Sequence, residues 1–244
     1  MKALRIAMWS GPRNISTAMM RAFENRADTA VLDEPFYAAW LIRSGADHPM
    51  RDAVLSSQPT DPQGVIDRLM GPVPGNRQVY YQKHMAHHMT PDMDLSWMSA
   101  CRNVFLIRAP AEVLASYAVR RPEATLEDIG VVQQRDLFER EADRLGKAPP
   151  VIDSADVLAD PRRTLASLCA ALGLDFDPAM LAWPAGPRDT DGAWAPAWYD
   201  AVERSTSFAS PRPPARLEDL APSLKPVAAA AWPHYHRLAS FKLA

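Results

Sequence analysis

Short apolar runs at residues 4–9, 30–32, 79–82, 103–107 and 151–152 alternate with stretches of helical periodicity. This alternation constrains the fold more than any other feature. Strands joined through helices pair in parallel, and a parallel sheet is buried on both faces by those helices. The run at 4–9 ends at Ser10-Gly11-Pro12, and Ile15, Ala18, Met19, Ala22 and Phe23 then recur at helical spacing. Pro110 suits the first turn of a helix running to about residue 120. Residues 126–145 read as one long helix stopped at Gly146. Residues 161–172 bury Leu165, Leu168 and Leu172, with Gly173 at the C-cap. Residues 43–64 are rich in Ser, Asp, Pro and Gly and read as loop or lid. Beyond residue 178 the chain carries Trp183, Trp194, Trp198 and many prolines, then a final helix over 228–243. The expectation is an α/β fold of three layers around a central parallel sheet, with a C-terminal helical and loop extension. With no clean linker, residues 1–244 read as one domain.

Charge and cysteine content exclude several function classes. Basic residues number 27 and acidic residues 29, so no global basic field exists to bind nucleic acid by bulk electrostatics. Two cysteines, Cys101 and Cys169, are too few for a disulfide scaffold and fit a reducing compartment. The apolar run from Ile6 stops at Ser10, too short for a signal core or a membrane span. A cytoplasmic protein is expected, with no membrane partner.

In an open parallel sheet, ligands bind beyond the carboxyl ends of the strands. The first such end reads Ser10-Gly11-Pro12-Arg13-Asn14-Ile15-Ser16-Thr17. A helix N-terminus offers unpaired N–H groups and the positive end of its dipole. Ser16 and Thr17 add hydroxyl donors, and Arg13 a fork of N–H groups. The loop suits an anion, although Ser16 and Thr17 equally read as helix caps. It has no second Gly and no Lys before Ser16, so it is not a Walker A loop.

Here the sequence resembles the sulfotransferases that use 3′-phosphoadenosine 5′-phosphosulfate (PAPS). In that family the first strand–helix loop reads Pro-Arg/Lys-Ser-Gly-Thr-Thr and holds the 5′-phosphosulfate. Pro12-Arg13-Asn14-Ile15-Ser16-Thr17 matches in its basic residue and two hydroxyls, and departs at Asn14 and Ile15. A second family motif places an Arg at a strand end and a Ser eight residues later, on the 3′-phosphate. Arg108 and Ser116 have that spacing and that strand–helix context. The resemblance implies a P-loop-like α/β fold, PAPS as donor, and adenosine 3′,5′-bisphosphate as product. It implies Arg13, Asn14, Ser16, Thr17, Arg108 and Ser116 as cofactor-binding residues. The family often has an adenine-contacting Tyr near the strand end where this chain has Ser154. Arg188 to Trp194 faintly resembles the family's loop over the cofactor.

Sulfuryl transfer to a hydroxyl needs a base for the acceptor proton, and positive charge for the departing phosphate. Glu34 stands 21 residues past Arg13, as in the protein-tyrosine and some bacterial sulfotransferases, with Asp33 as the fallback. His84 follows the third strand, where cytosolic members carry Lys-x-His; here Lys83 and His84 are adjacent, so one is out of register. Glu34 is favoured over His84, with Arg13 and Lys83 as electrostatic support. No metal is needed. His84, His87 and His88 could share a helical face, but a zinc site usually wants more ligands.

Three functions remain open from residues alone. The first is sulfotransfer to a hydroxyl or amine of a small acceptor. The second is a divergent P-loop-like kinase, for which Asp33 could hold a metal. The third is a nucleotide-binding module without chemistry. Segments 36–78 and 178–220 are expected to build the acceptor pocket. No residue argues an oligomeric state.

Overall fold

The computed structural model describes residues 3–243, so residues 1, 2 and 244 of the expected span lie outside it. Five strands carry the fold: β1 (Leu4–Ser10), β2 (Thr29–Asp33), β3 (Val79–Met85), β4 (Arg102–Ile107) and β5 (Val151–Asp153). They form one parallel sheet in the order β2-β3-β1-β4-β5. Twelve helices are described in chain order: α1 (Ser16–Glu24), α2 (Tyr37–Ser44), α3 (Arg51–Ser57), α4 (Pro62–Met70), α5 (Pro110–Tyr117), α6 (Leu126–Ile129), α7 (Val131–Leu145), α8 (Ser154–Ala159), α9 (Pro161–Leu172), α10 (Ala195–Trp198), α11 (Asp200–Glu203) and α12 (Lys225–Ala239).

Side chains alternate across the sheet, as the pleat requires. Ile6, Met8, Val104 and Leu106 pack on Met19 and Phe23 of α1 and on Leu165 and Leu168 of α9. Ala7, Trp9, Phe105 and Ile107 pack on the other face, against Val65 and Leu69 of α4, Leu137 and Phe138 of α7 and Leu238 of α12. Both faces are covered, which is why β1 and β4 read as near-continuous apolar runs. Among the described residues no helix is long and apolar enough to cross a membrane.

Three sequence expectations are corrected. Residues 43–64 are not a bare loop: they hold α3 and the start of α4. Pro62 sits in the first turn of α4, and Asp61 caps it by accepting from the Gly64 N–H at 3.0 Å. Val65, Ile66 and Leu69 of α4 are buried. The helix expected over 126–145 is broken at Gly130, which stands at φ 64°. A Cβ there would lie 3.0 Å from the His87 backbone nitrogen, so conformation and close approach both demand glycine. The final helix starts and ends earlier than 228–243, at Lys225 and Ala239.

Candidate active site

The chain leaves β1 toward β2 and β3 on one side, and later adds β4 and β5 on the other. The carboxyl end of β1 is therefore the switch point, where the crossovers part and leave a crevice. A cavity of about 440 Å³ opens there.

The loop after β1 folds under tight local constraint. A Cβ on Gly11 would stand 2.4 Å from the Ile129 carbonyl oxygen of α6. Arg13 and Ile15 both adopt left-handed backbone, at φ 60° and 56°. Ile15 occupies the position where the resembled family has glycine, the residue that adopts this conformation without strain. Asn14 braces the loop: its Nδ2 donates to the Leu106 carbonyl at 3.1 Å, while its Oδ1 is buried without a partner among the described residues. Gln134 of α7, which no local motif marks, donates to the carbonyls of Trp9 and Leu106 at 3.0 and 2.8 Å.

The two phosphate-type motifs meet. Arg13 Nε donates to Ser116 Oγ at 2.9 Å, and Arg108 Nη1 donates to the Arg13 carbonyl at 2.6 Å. Arg108 also pairs with Glu112 at 3.2 Å. Arg13, Asn14, Ser16, Thr17, Arg108 and Ser116 all line the cavity. Helix α1 has no side-chain cap at Ile15 and no acidic residue in its first turn. Burial lowers the Arg13 pKa, and repulsion from Arg120 and Arg108 lowers it further. Clustered guanidiniums at an uncapped helix N-terminus form a site that an anion would relieve. These residues fit the phosphates of the expected donor.

Across the cavity stands a buried charge cluster. β2 and β3 pair with Asp33 opposite Lys83. Lys83 Nζ donates to Asp33 Oδ1 at 2.9 Å, Glu34 Oε1 at 2.6 Å and Tyr199 Oη at 2.6 Å. Tyr199 in turn donates to Asp33 Oδ2 at 2.6 Å, and the Gly192 N–H reaches the same oxygen at 3.1 Å. Trp194 Nε1 donates to Tyr199 Oη at 3.1 Å. One cation therefore serves two carboxylates. Burial raises the Glu34 pKa; Lys83 opposes the rise and Asp33 adds to it. Burial also works against charge on Lys83, yet Asp33 and Glu34 hold its pKa well above the usual lysine value.

His84 faces the opposite side of β3. It lies against Trp9 (centroids 4.5 Å apart), Trp97 and Phe36, with Nε2 3.3 Å from Gln82 Oε1, and does not line the cavity. Strand parity separates it from Lys83. His87 and His88 do line the cavity, as do Tyr37, His48, Trp194, Trp198 and Tyr199. Arg188 sits apart, 3.3 Å from Glu24, beside a loop whose Asp191 pairs with Arg21 at 2.6 Å. Residues 207–212, including Arg212, line the cavity instead, as do Ala155 and Leu158 of α8. Gln134 and Tyr199 had no supporting local motif, whereas Asp33, the fallback beside Glu34, is signalled by its place at a strand end.

The family model described as "Sulfotransferase domain" matches residues 4–240. Two Arabidopsis thaliana proteins are similar in sequence, each over 208 residues and 85% of this chain. "Branched-chain-amino-acid aminotransferase-like protein 2" is 36% identical and "protein 1" 38% identical. The alignment covers 36% and 37% of those relatives, so the chain spans little more than a third of their length. In fold, the chain is similar to the sulfotransferase domain from the curacin biosynthetic pathway (TM-score 0.53, 15% identity, 100% of this chain and 99% of that one). It is also similar to a sulfotransferase from Alicyclobacillus acidocaldarius (TM-score 0.53, 14% identity, 100% and 98%). The sulfotransferase domain of the Synechococcus PCC 7002 olefin synthase compares at TM-score 0.51 and 16% identity, over 94% of each chain.

Proposed function

The chain belongs to the sulfotransferase domain family, and from that premise we propose that it moves a sulfuryl group from PAPS to a hydroxyl or amine of a small acceptor. The observation that carries the reading is the convergence of Arg13, Arg108 and Ser116 on one side of a cavity, with Glu34 on the other. When bound, PAPS supplies the activated sulfuryl group. Arg13, Ser16, Thr17 and the α1 N-terminus would hold its 5′ end and take up the charge developing on the leaving phosphate. Arg108 and Ser116 would hold the 3′-phosphate, which makes the product adenosine 3′,5′-bisphosphate.

Glu34 is the base in this reading. Its carboxylate would take the proton from the acceptor's hydroxyl or amine, while the bound donor would supply the sulfuryl group. A raised pKa suits that task, because a base works best with its pKa near the working pH. Lys83 spends its three donors on Asp33, Glu34 and Tyr199, and so supports the reaction by holding Glu34 in place. His84 is walled off by Trp9 and Trp97.

The test is calorimetric titration with adenosine 3′,5′-bisphosphate, beside AMP and magnesium ATP, on the parent chain and on Arg108→Ala and Arg13→Ala. The bisphosphate should bind at least about tenfold tighter than AMP, and Arg108→Ala should remove that margin, since a charge-assisted contact is worth about 1.5–3 kcal/mol. Equal binding of AMP, or stronger magnesium-dependent binding of ATP, refutes the reading and favours the kinase.

A further inference from the structure

Asp33 and Glu34 are neighbours in sequence, and in a continuing strand their side chains would point to opposite faces. Both instead reach Lys83. The cause is local. β2 ends at Asp33, and Glu34 turns into left-handed backbone at φ 34°. The Glu34 N–H donates to the Lys83 carbonyl at 3.0 Å, and Gln58 Nε2 donates to the Glu34 carbonyl at 3.0 Å. Left-handed backbone on a residue other than glycine is strained, and it persists here because bonds on both sides of Glu34 fix it. The strain brings two carboxylates to one cation.

The two carboxylates are not equivalent. Glu34 lines the cavity and Asp33 does not. Asp33 accepts from Lys83, from the Tyr199 hydroxyl and from the Gly192 N–H. Gly192 is anchored in turn. Its neighbour Asp191 accepts from Arg21 at 2.6 Å and from the Arg188 N–H at 2.8 Å, and Arg21 of α1 is fully buried. A loop fastened to α1 thus pins Asp33 beneath Glu34, off the cavity wall. The other titratable groups around Glu34 are neutral. Tyr37 of α2, Tyr117 of α5 and Tyr199 between α10 and α11 each feel its charge, and burial raises the pKa of all three, that of Tyr117 to about 12. Burial keeps His48, His87 and His88 uncharged along the same wall, and Arg121 acts on Tyr37 and His48. The charges that act on the Glu34 carboxylate are Lys83 and Asp33.

We propose that Asp33 is a positioning residue for the base: it draws part of the Lys83 ammonium away from Glu34, so that Glu34 keeps the affinity for a proton that a base needs, and Tyr199 with the loop over residues 188–192 holds Asp33 to that task. The inference rests on the sulfotransfer reading, which supplies the proton that Glu34 takes. It goes further in giving the second carboxylate a role. One ammonium serving one carboxylate would make a tighter pair and a weaker base. Asp33 acts through Lys83 and touches no substrate, because it stands outside the cavity.

The test follows Glu34 itself by NMR. Glutamate carboxyl carbons are isotope-labelled, the Glu34 signal is identified by its loss in Glu34→Gln, and its pH titration is recorded in the full chain and in Asp33→Asn. That variant keeps the side-chain shape and removes the charge. In the parent chain Glu34 should titrate above the ordinary glutamate value. In Asp33→Asn the midpoint should fall by at least about one pH unit, because a like charge is gone and Lys83 is left to Glu34. Affinity for adenosine 3′,5′-bisphosphate, by calorimetry, should change less than about twofold, because Asp33 does not line the cavity. A midpoint that is unchanged or higher in Asp33→Asn overturns the proposal, since a merely structural role would not lower it. So does a parent midpoint at or below the ordinary value, a result that needs no folded variant. If the parent chain binds no bisphosphate, the donor reading falls, while the two midpoints still decide whether Asp33 governs Glu34.

Discussion

Replacing Lys83 by Met removes the cation from the centre of the site while roughly keeping side-chain length. Lys83 is 1% exposed, so neither it nor its partners are screened by water. After the change, Asp33 keeps Tyr199 at 2.6 Å and the Gly192 N–H at 3.1 Å. Glu34 loses its donor at 2.6 Å and faces Asp33 with no positive charge between them. Breaking a buried ion pair by removing one partner costs about 3–5 kcal/mol. For a chain of this size that lowers Tm by about 6–20 °C. The pH dependence has a definite sign. Glu34 already has a raised pKa in the folded state. A raised carboxylate carries a contribution to stability that is full below its unfolded pKa and is lost as pH rises through its folded pKa. Without Lys83 that folded pKa rises further. The deficit of the variant should therefore be largest near pH 8 and shrink toward pH 5. Urea unfolding of both proteins at the two pH values checks this. A deficit under about 1 kcal/mol near pH 8, the size of an exposed pair, refutes the reasoning. So does a deficit equal at both pH values.

Further outcomes are expected elsewhere in the site. Glu34→Gln should lower kcat for sulfotransfer by about 10²–10⁴ and leave bisphosphate affinity unchanged, by steady-state kinetics and calorimetry. His84→Gln should leave sulfotransfer within a few-fold; a loss of about 10² or more would make His84 the base after all. Burial lowers the pKa of His84 to about 3, so its contribution to stability is present above the ordinary value and lost as pH falls toward 3. His84→Gln should accordingly flatten the acid side of the stability curve by up to about 1.4 kcal/mol per pH unit, read from melts between pH 6.5 and 4. Gly192→Ala would put a Cβ 2.1 Å from the Trp194 ring. It should cost about 1–3 kcal/mol and alter tryptophan fluorescence as Trp194 shifts.

Much of the site was legible because its parts are local. The loop at 10–17 and the Arg108–Ser116 pair each lie on one strand–turn–helix, so strand end, helix start and spacing are written consecutively. Helix α4 was also written locally, in Asp61-Pro62 and the period of Val65, Ile66 and Leu69, but the Ser- and Pro-rich composition around it obscured the pattern. The break at Gly130 was not local in this sense. It depends on how closely His87 approaches, a contact between segments 43 residues apart in the chain.

Alternation of apolar runs with helical periods determined the layered parallel sheet, and strand-end residues determined where an anion would bind. Both follow from short-range periodicity and turn chemistry, which a sequence carries in order. Lys83 and His84 are adjacent in sequence and both looked usable. The register of β3 against β2 puts Lys83 beside Asp33 and Glu34, and the pleat sends His84 under Trp9. Tyr199 lies 166 residues beyond Asp33, yet their side chains meet at 2.6 Å. Only tertiary structure decided these pairings, because a long-range contact depends on where every intervening element packs and leaves no mark in the residues beside it.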